Sequence, residues 1–379
     1  MIPIGVIYWR QIRPIGTIYR MINGWTAPGF EDVAAEFARN FAERGELGAG
    51  FAAYRNGELV VDLRGGIADR DTGQPWDRDS LQLIFSGTKG LATACVLLLV
   101  QRGQLSLDDP LRRYWPEFRS GETTVAEVLS HQARLAWVEA GYADLLDHDA
   151  MAAHLAVQAP ATDPGAAFMY HPITWGWLVD ELIRRVDGRT AGRFFADEFA
   201  VPLDLDVWIG LPNELHGRAT TMVAADGVLV DVPETDSLLR PNPLLVPGAE
   251  KIWNSPEYRS AGLAAVGGFA TARGMARFYD ALLSGSILTT KTVELGRREI
   301  RRGIEPTWGS EIAYGAGFEL QVPAAHLGPQ ADAFGHGGAG GSRHGAWPAR
   351  GIAFSYVMNE VRAWPDERAL ALLAALDRS

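Results

Sequence analysis

Leu81-Gln82-Leu83-Ile84-Phe85-Ser86-Gly87-Thr88-Lys89-Gly90-Leu91-Ala92-Thr93-Ala94-Cys95-Val96-Leu97-Leu98-Leu99-Val100 is the stretch whose reading decides the fold. An apolar, strand-like Leu81–Phe85 runs into Ser86, and a long apolar helix follows, ending near Gln101-Arg102-Gly103. Residues i and i+3 at a helix start lie on one side, about 5–6 Å apart at Cβ, so Lys89 can approach the Ser86 oxygen. The helix N-terminus offers free N–H groups and positive dipole to an oxyanion. A serine hydroxyl is a weak nucleophile and needs a base. A desolvated lysine with a depressed pKa, or one that stabilises a neighbouring phenolate, would supply it.

The four residues alone do not prove this. The chain has 3 Lys, 32 Arg and 14 Ser, and chance puts a Lys three after a Ser in roughly one such chain in nine. The bland alternative is an N-cap serine and a surface lysine. The apolar surroundings of Lys89 weigh against it, since a solvated position in so Arg-rich a chain would more often be Arg. Two further stretches add chemistry. Pro164-Gly165-Ala166-Ala167-Phe168-Met169-Tyr170-His171 puts Tyr170 at a loop-to-helix junction, where a nearby ammonium would lower its phenol pKa. In Phe334-Gly335-His336-Gly337-Gly338-Ala339-Gly340-Gly341-Ser342, glycines let backbone lie against a substrate and offer N–H groups to it.

Outward from these stretches, Phe30–Gly45 has the helical period, and Gly48–Gly66 reads as a hairpin turning at Arg55-Asn56-Gly57. Helical segments are expected at 124–131, 149–157, 173–187, 190–200, 271–284 and 289–300, with a long irregular, Pro-rich loop at 225–260. Strand character returns at Tyr314–Val322 and Gly351–Asn359, and a helix closes the chain. The organisation expected is an N-terminal extension over 1–27, an α/β sheet domain from 28–90 and 301–379, and a mostly helical domain over 91–300. A ligand cleft belongs at their junction. The extension carries a short echo, PIGVIYW at 3–9 and PIGTIYR at 14–20, and is read as lying outside the catalytic body.

Composition narrows the function. With 47% hydrophobic and 21% charged residues the chain is an ordinary globular protein, and a net charge of −11 argues against nucleic acid or anionic membrane as partner. One cysteine, Cys95, excludes an intrachain disulfide and a Cys-based zinc cluster. No apolar run approaches the roughly 20 residues of a membrane span. With no export signal recognised, a cytoplasmic address is the default. No cofactor and no metal is expected, since the His residues show no H-E-x-x-H spacing and Gly335-x-Gly337-x-x-Gly340 lacks the following helix of a dinucleotide site. The Asp108-Asp109-Pro110 pair reads as a helix-entry turn.

The three motifs, in this order near one-quarter, one-half and nine-tenths of the chain, resemble the serine β-lactamase and penicillin-binding superfamily. Its class C-like branch and the family VIII carboxylesterases are nearest. The likeness spans about residues 28–379, including Thr124–His131 and Gly267–Thr271. It implies an antiparallel sheet flanked by helices with an inserted helical domain. It also implies Ser86 as nucleophile, Lys89 as its activating partner, Tyr170 as the base that protonates the leaving group, and Ser86 and Ala339 N–H groups as the oxyanion hole. His336 stands where lactamases carry Lys and many esterases carry Trp, and Pro172 replaces the Asn of Tyr-x-Asn. Both departures shift the expectation from lactams toward neutral esters.

The expected activity is therefore a carboxylesterase acting on short-to-medium acyl esters through an acyl-enzyme. β-Lactamase, D-amino-acid peptidase or amidase, and acyltransferase are alternatives on the same machinery, and a non-catalytic sensor or binding module is the alternative from another class. Substrate-binding expectations fall on His336, Gly337, Gly338, His171 and Trp253, the last because the 225–260 loop would reach the cleft mouth. The expected partner is a small-molecule ester, and self-association is left open.

Overall fold

The computed structural model describes residues 22–229, 242–363 and 366–379. The described chain enters as strand β1 (Ile22–Thr26), turns into helix α1 (Glu31–Glu43) and continues as the hairpin β2 (Gly48–Arg55) and β3 (Glu58–Asp69). Asn56 and Gly57 sit at φ 52 and 87. Two left-handed residues make a turn whose twist matches the strands it joins, which is why Asn-Gly closes this hairpin. The C-terminal strands are β4 (Arg301–Glu305), β5 (Ser310–Tyr314), β6 (Glu319–Leu320), β7 (Phe334–Gly337), β8 (Arg343–Trp347) and β9 (Ile352–Met358). They join the hairpin in one antiparallel sheet of order β1-β3-β2-β9-β8-β7-β6-β5-β4, with Gln74–Pro75 added on β3. The seam between the two ends of the chain is β2 against β9, where Ala52 faces Ser355.

Between the two sets of strands run α2 (Thr88–Gln101), which carries Lys89, α3 (Thr174–Asp187), α4 (Ala272–Ser284) and several shorter helices. Period-two alternation sorts the sheet faces. Phe51 and Ala53 of β2, with Ile352, Phe354 and Tyr356 of β9, face α1 and the closing helix α5 (Glu367–Asp377). The opposite face carries Ala52, Ala353 and Ser355, small enough for α4 to lie close. A Cβ on Gly50 would come within 3.2 Å of the Ala272 methyl.

Three expectations need correction. Residues 22–26, placed outside the body, form an edge strand, because Ile22–Thr26 pair in register with Val61–Gly65. Helix α4, placed in the helical domain, packs on the sheet through Met275 and Tyr279. Within the Pro-rich stretch, 242–260 is not irregular: Glu250–Trp253 and Pro256–Ser260 are short helices, the second started by a Ser255 cap on the Tyr258 N–H. Leu238 and Leu239, and the repeated motif at 3–20, lie outside the described residues. Among the described residues no helix is long and apolar enough to cross a membrane.

Candidate active site

Ser86 sits in the 3-10 turn Phe85–Gly87 that leads into α2. A small sheet holds the turn: Gln82–Leu83 pairs with Gly268–Ala270, which pairs with Val207–Ile209. Ile84 N–H donates to Gly268 O at 2.9 Å, and Thr88 Oγ1 accepts from Gly268 N–H at 2.8 Å. Phe85 is held at φ 42, unusual for a bulky residue and the kind of strain that collects at functional sites. Its ring packs edge-on against Trp253, centroids 5.3 Å apart. Gly87 leaves no room for a side chain, since a Cβ would meet the His344 ring at 2.6 Å.

Lys89 is fully buried one turn on. Its Nζ lies 3.2 Å from Ser86 Oγ, 2.8 Å from Pro172 O and 3.3 Å from Ala265 O, and 4.8 Å from the centre of the Tyr170 ring. Burial holds its pKa well below the ordinary lysine range. Pro172, noted in the sequence for the side-chain amide it lacks, thus contributes its backbone carbonyl to the lysine.

Tyr170 lines the cleft beside Ser86, and the hydroxyl of Ser86 favours its phenolate form. Its ring lies 4.6 Å from that of His131, 5.2 Å from Trp308 and 6.2 Å from both Tyr314 and His336. This enclosure reverses an expectation. A lowered phenol pKa was expected, but burial pushes it up, the Ser86 hydroxyl offsets only part of that, and the Glu319 and Glu305 carboxylates add to the rise.

The third motif lies across the cleft. Gly338 presses on the nucleophile's own segment: a Cβ there would strike Ile84 O at 2.3 Å. Ala339 follows directly and lines the cleft with Ser86, Tyr170, His336 and Gly337. Gly340 and Gly341, at φ 82 and 120, carry the chain back into β8. Buried Arg368 reaches the Gly340 carbonyl at 3.2 Å.

The cleft holds about 520 Å³. Its lining combines apolar Ala136, Trp137, Met169, Ile173, Leu244 and Leu245 with a polar wall of His336 and Gly337 on β7, Glu319 on β6 and Arg343 on β8. Two expected substrate contacts are not among its lining residues. His171 is fully buried, its Nε2 accepting from Leu135 N–H at 3.0 Å and its Nδ1 2.6 Å from Met169 O, so both ring nitrogens are spent on backbone. Trp253 lies behind Phe85, its indole N–H donating to Leu244 O at 3.0 Å. It acts on the cleft through the leucine loop it anchors and through Phe85, on which it packs. Among the described residues no three His, Cys, Asp or Glu side chains are grouped to hold a metal ion.

Sequence reading passed over the β4–β5 hairpin, which supplies Glu305, Thr307 and Trp308 to the cleft. Glu305 accepts the Tyr170 N–H at 3.2 Å and the Thr307 and Trp308 N–H groups at 2.8 and 2.9 Å, tying the hairpin tip to Tyr170. The signal was Pro306-Thr307-Trp308-Gly309, a turn sequence between two short alternating runs.

Comparison with known proteins agrees with this geometry. A sequence model of the beta-lactamase family matches residues 34–378. The chain is 31% identical over 362 residues to the esterase/beta-lactamase LipL of Mycobacterium tuberculosis, covering 90% of this chain and 84% of that one. Among solved structures, a penicillin-binding protein homolog from Caulobacter crescentus superposes with a TM-score of 0.86 at 37% identity, and a family VIII carboxylesterase with 0.87 at 33%. Each alignment covers 94% of this chain and 99% of the other.

Proposed function

The chain is a serine hydrolase of the beta-lactamase family, and from that premise we propose that it hydrolyses neutral carboxylic esters through a Ser86 acyl-enzyme. The observation that carries the reading is the set of acceptors around Lys89. A neutral amine has two N–H bonds and one lone pair. Pro172 O and Ala265 O take the two N–H bonds, which leaves the lone pair for the Ser86 hydroxyl. Burial without a paired carboxylate favours that neutral form.

In acylation, Lys89 takes the Ser86 proton as Oγ attacks the ester carbonyl carbon. The oxyanion is received by the N–H groups of Ser86 and Ala339. Collapse of the tetrahedral intermediate breaks the C–O bond, and the proton on Lys89 passes through the Tyr170 hydroxyl to the departing alkoxide. With its pKa raised, Tyr170 serves as a relay that gives and receives a proton, not as a resident phenolate. In deacylation, water gives a proton to Lys89 as it attacks the acyl carbon; collapse of the intermediate breaks the C–Oγ bond, Lys89 returns that proton to Ser86 Oγ, and the acid leaves. The apolar part of the cleft lining suits an acyl or alkoxy chain.

Lactam hydrolysis is the lesser activity on this reading, because His336 and Pro172 supply neither the cation nor the side-chain amide of the lactamase pattern. Intact-mass analysis after p-nitrophenyl butyrate or nitrocefin tests both points. An acyl adduct on Ser86 with faster turnover of the ester is expected. Nitrocefin kcat/KM equal to or above that of the ester would reverse the ranking.

A further inference from the structure

Beside His336 and Gly337 the sheet ladder stops. β6 begins only at Glu319, opposite Gly335, after Gly317, at φ 94, has turned the chain, so the Gly337 N–H has no β6 residue opposite it. The Glu319 side chain takes that place, its Oε2 accepting the Gly337 N–H at 3.0 Å. The next N–H along the wall is engaged as well. Gly338 N–H donates to Ser342 O at 3.0 Å. His336 Nδ1 lies 2.7 Å from Gly337 O, which makes Nδ1 the protonated nitrogen. His336 Nε2 is then a lone pair; it is buried, on a residue lining the cleft, and has no partner. A buried acceptor left unsatisfied at a ligand site calls for a donor from the ligand.

We propose that this wall is a hydrogen-bond-acceptor subsite, which takes a donor-bearing group of the substrate, an ammonium or a hydroxyl, and turns a carboxylate away. His336 Nε2 accepts the hydrogen bond and Glu319 supplies the charge. Burial would raise the Glu319 pKa, but the hydrogen bond from His326 and the charge of Arg343 oppose it and it is held at about 2, so the carboxylate is charged at neutral pH. A substrate carboxylate on this wall would face a fixed negative charge. Arg343, opposite Gly337 in register, directs Nη1 to Ser342 O at 2.7 Å and Gly338 O at 3.4 Å. Asp366 and Arg362, farther along the cleft, are tied to Arg368 and to Glu360.

The subsite deepens the ester reading and rests on it only for Ser86 as the reacting atom. The test therefore reads covalent labelling and not turnover. p-Nitrophenyl phosphonates ending in ammonium, hydroxyl, methyl or carboxylate, carried in turn on the alkyl and the alkoxy arm, are timed by intact mass. On at least one arm the ammonium probe is expected to label Ser86 about tenfold faster than the carboxylate probe, with methyl between. Glu319→Gln, which keeps an acceptor for Gly337, should narrow that spread to about threefold or less. His336→Phe should remove the advantage of hydroxyl over methyl. Equal labelling by all ends, a preference for carboxylate that would assign the wall to Arg343, or an unchanged spread in Glu319→Gln each overturns the proposal. Labelling in the expected order without turnover of any ester leaves the subsite standing and removes the ester reading. No labelling of Ser86 by any probe removes both.

Discussion

Lys89 and Arg368 are both fully buried, but their neighbours differ. Arg368 donates to Glu46 Oε1 and to Asp366 Oδ2, each at 2.7 Å, and spends a further N–H on Glu360 O at 3.0 Å. Glu46 in turn accepts from the Tyr356 hydroxyl. Lys89 has two carbonyls, one hydroxyl and an aromatic face, and no carboxylate among the described residues. A guanidinium keeps its charge in any protein site, so it must be neutralised by partners if it is buried. An ammonium can lose its proton, so burial without a partner makes it a base. One cation holds the third-motif turn through Gly340, and the other is available for chemistry.

The largest test of this contrast is Lys89→Met. It should lower kcat by about 10²-fold or more, the usual worth of a positioned base, while urea denaturation finds stability unchanged or higher. Lys89→Arg should be as inactive, because the new side chain stays protonated. A Lys89→Met variant that loses stability and keeps activity would make Lys89 a scaffold residue like Arg368. Arg368→Met should do the reverse. It strands Glu46 and Asp366, should cost about 3–5 kcal/mol in the same denaturation assay, and should lower kcat less than loss of Lys89.

Next is the pH response. The base must be neutral, so kcat/KM should climb with pH through the depressed Lys89 pKa and level off below the ordinary lysine range. His171 and His336 are drawn down to about 4 by burial, so neither should add an inflection near 6.5. Their effect belongs to stability. Between pH 6.5 and about 4 the unfolded chain binds protons that the folded chain refuses. Each histidine should therefore remove about 1.4 kcal/mol per unit as pH falls through that window. His171→Asn, titrated by urea midpoint against pH, should flatten that slope. The smallest effect is expected from Trp308→Ala. The indole is 55% exposed and lines the cleft with its ring 5.2 Å from that of Tyr170, so stability should fall by about 1 kcal/mol or less while preference among ester chain lengths changes.

What could be read in the sequence was what short-range chemistry dictates. Ser86 and Lys89 are three residues apart on a helix start, Asn56-Gly57 can hardly avoid its turn, and the glycines at 337–341 announce close backbone approach. What could not be read depends on groups brought in from elsewhere. The direction of the Tyr170 shift is set by burial among side chains from distant parts of the chain, such as Trp308 and Tyr314, with Glu319 and Glu305 adding to it. His171 looked available beside the tyrosine, but Leu135 N–H claims one nitrogen. Trp253 looked like a pocket wall because its loop is apolar, yet its indole N–H finds a carbonyl on the far side of Phe85.

The seam between β2 and β9 also has a consequence for how the protein is made. Strands in register there are about as far apart in the chain as Ile67 and Asn359, which are bonded across 292 positions. At a synthesis rate of about 5–20 residues per second, the hairpin waits roughly 15–60 s on the ribosome before its neighbour emerges. During that time the apolar edge of β2 has no strand beside it, and an unpaired edge of this kind is open to mispairing. Ser86 and Lys89 leave the ribosome early in the same interval, but Ala339 comes last. On the proposed mechanism the half-made chain would thus carry Ser86 without the Ala339 N–H, and hydrolysis would wait until translation is nearly complete.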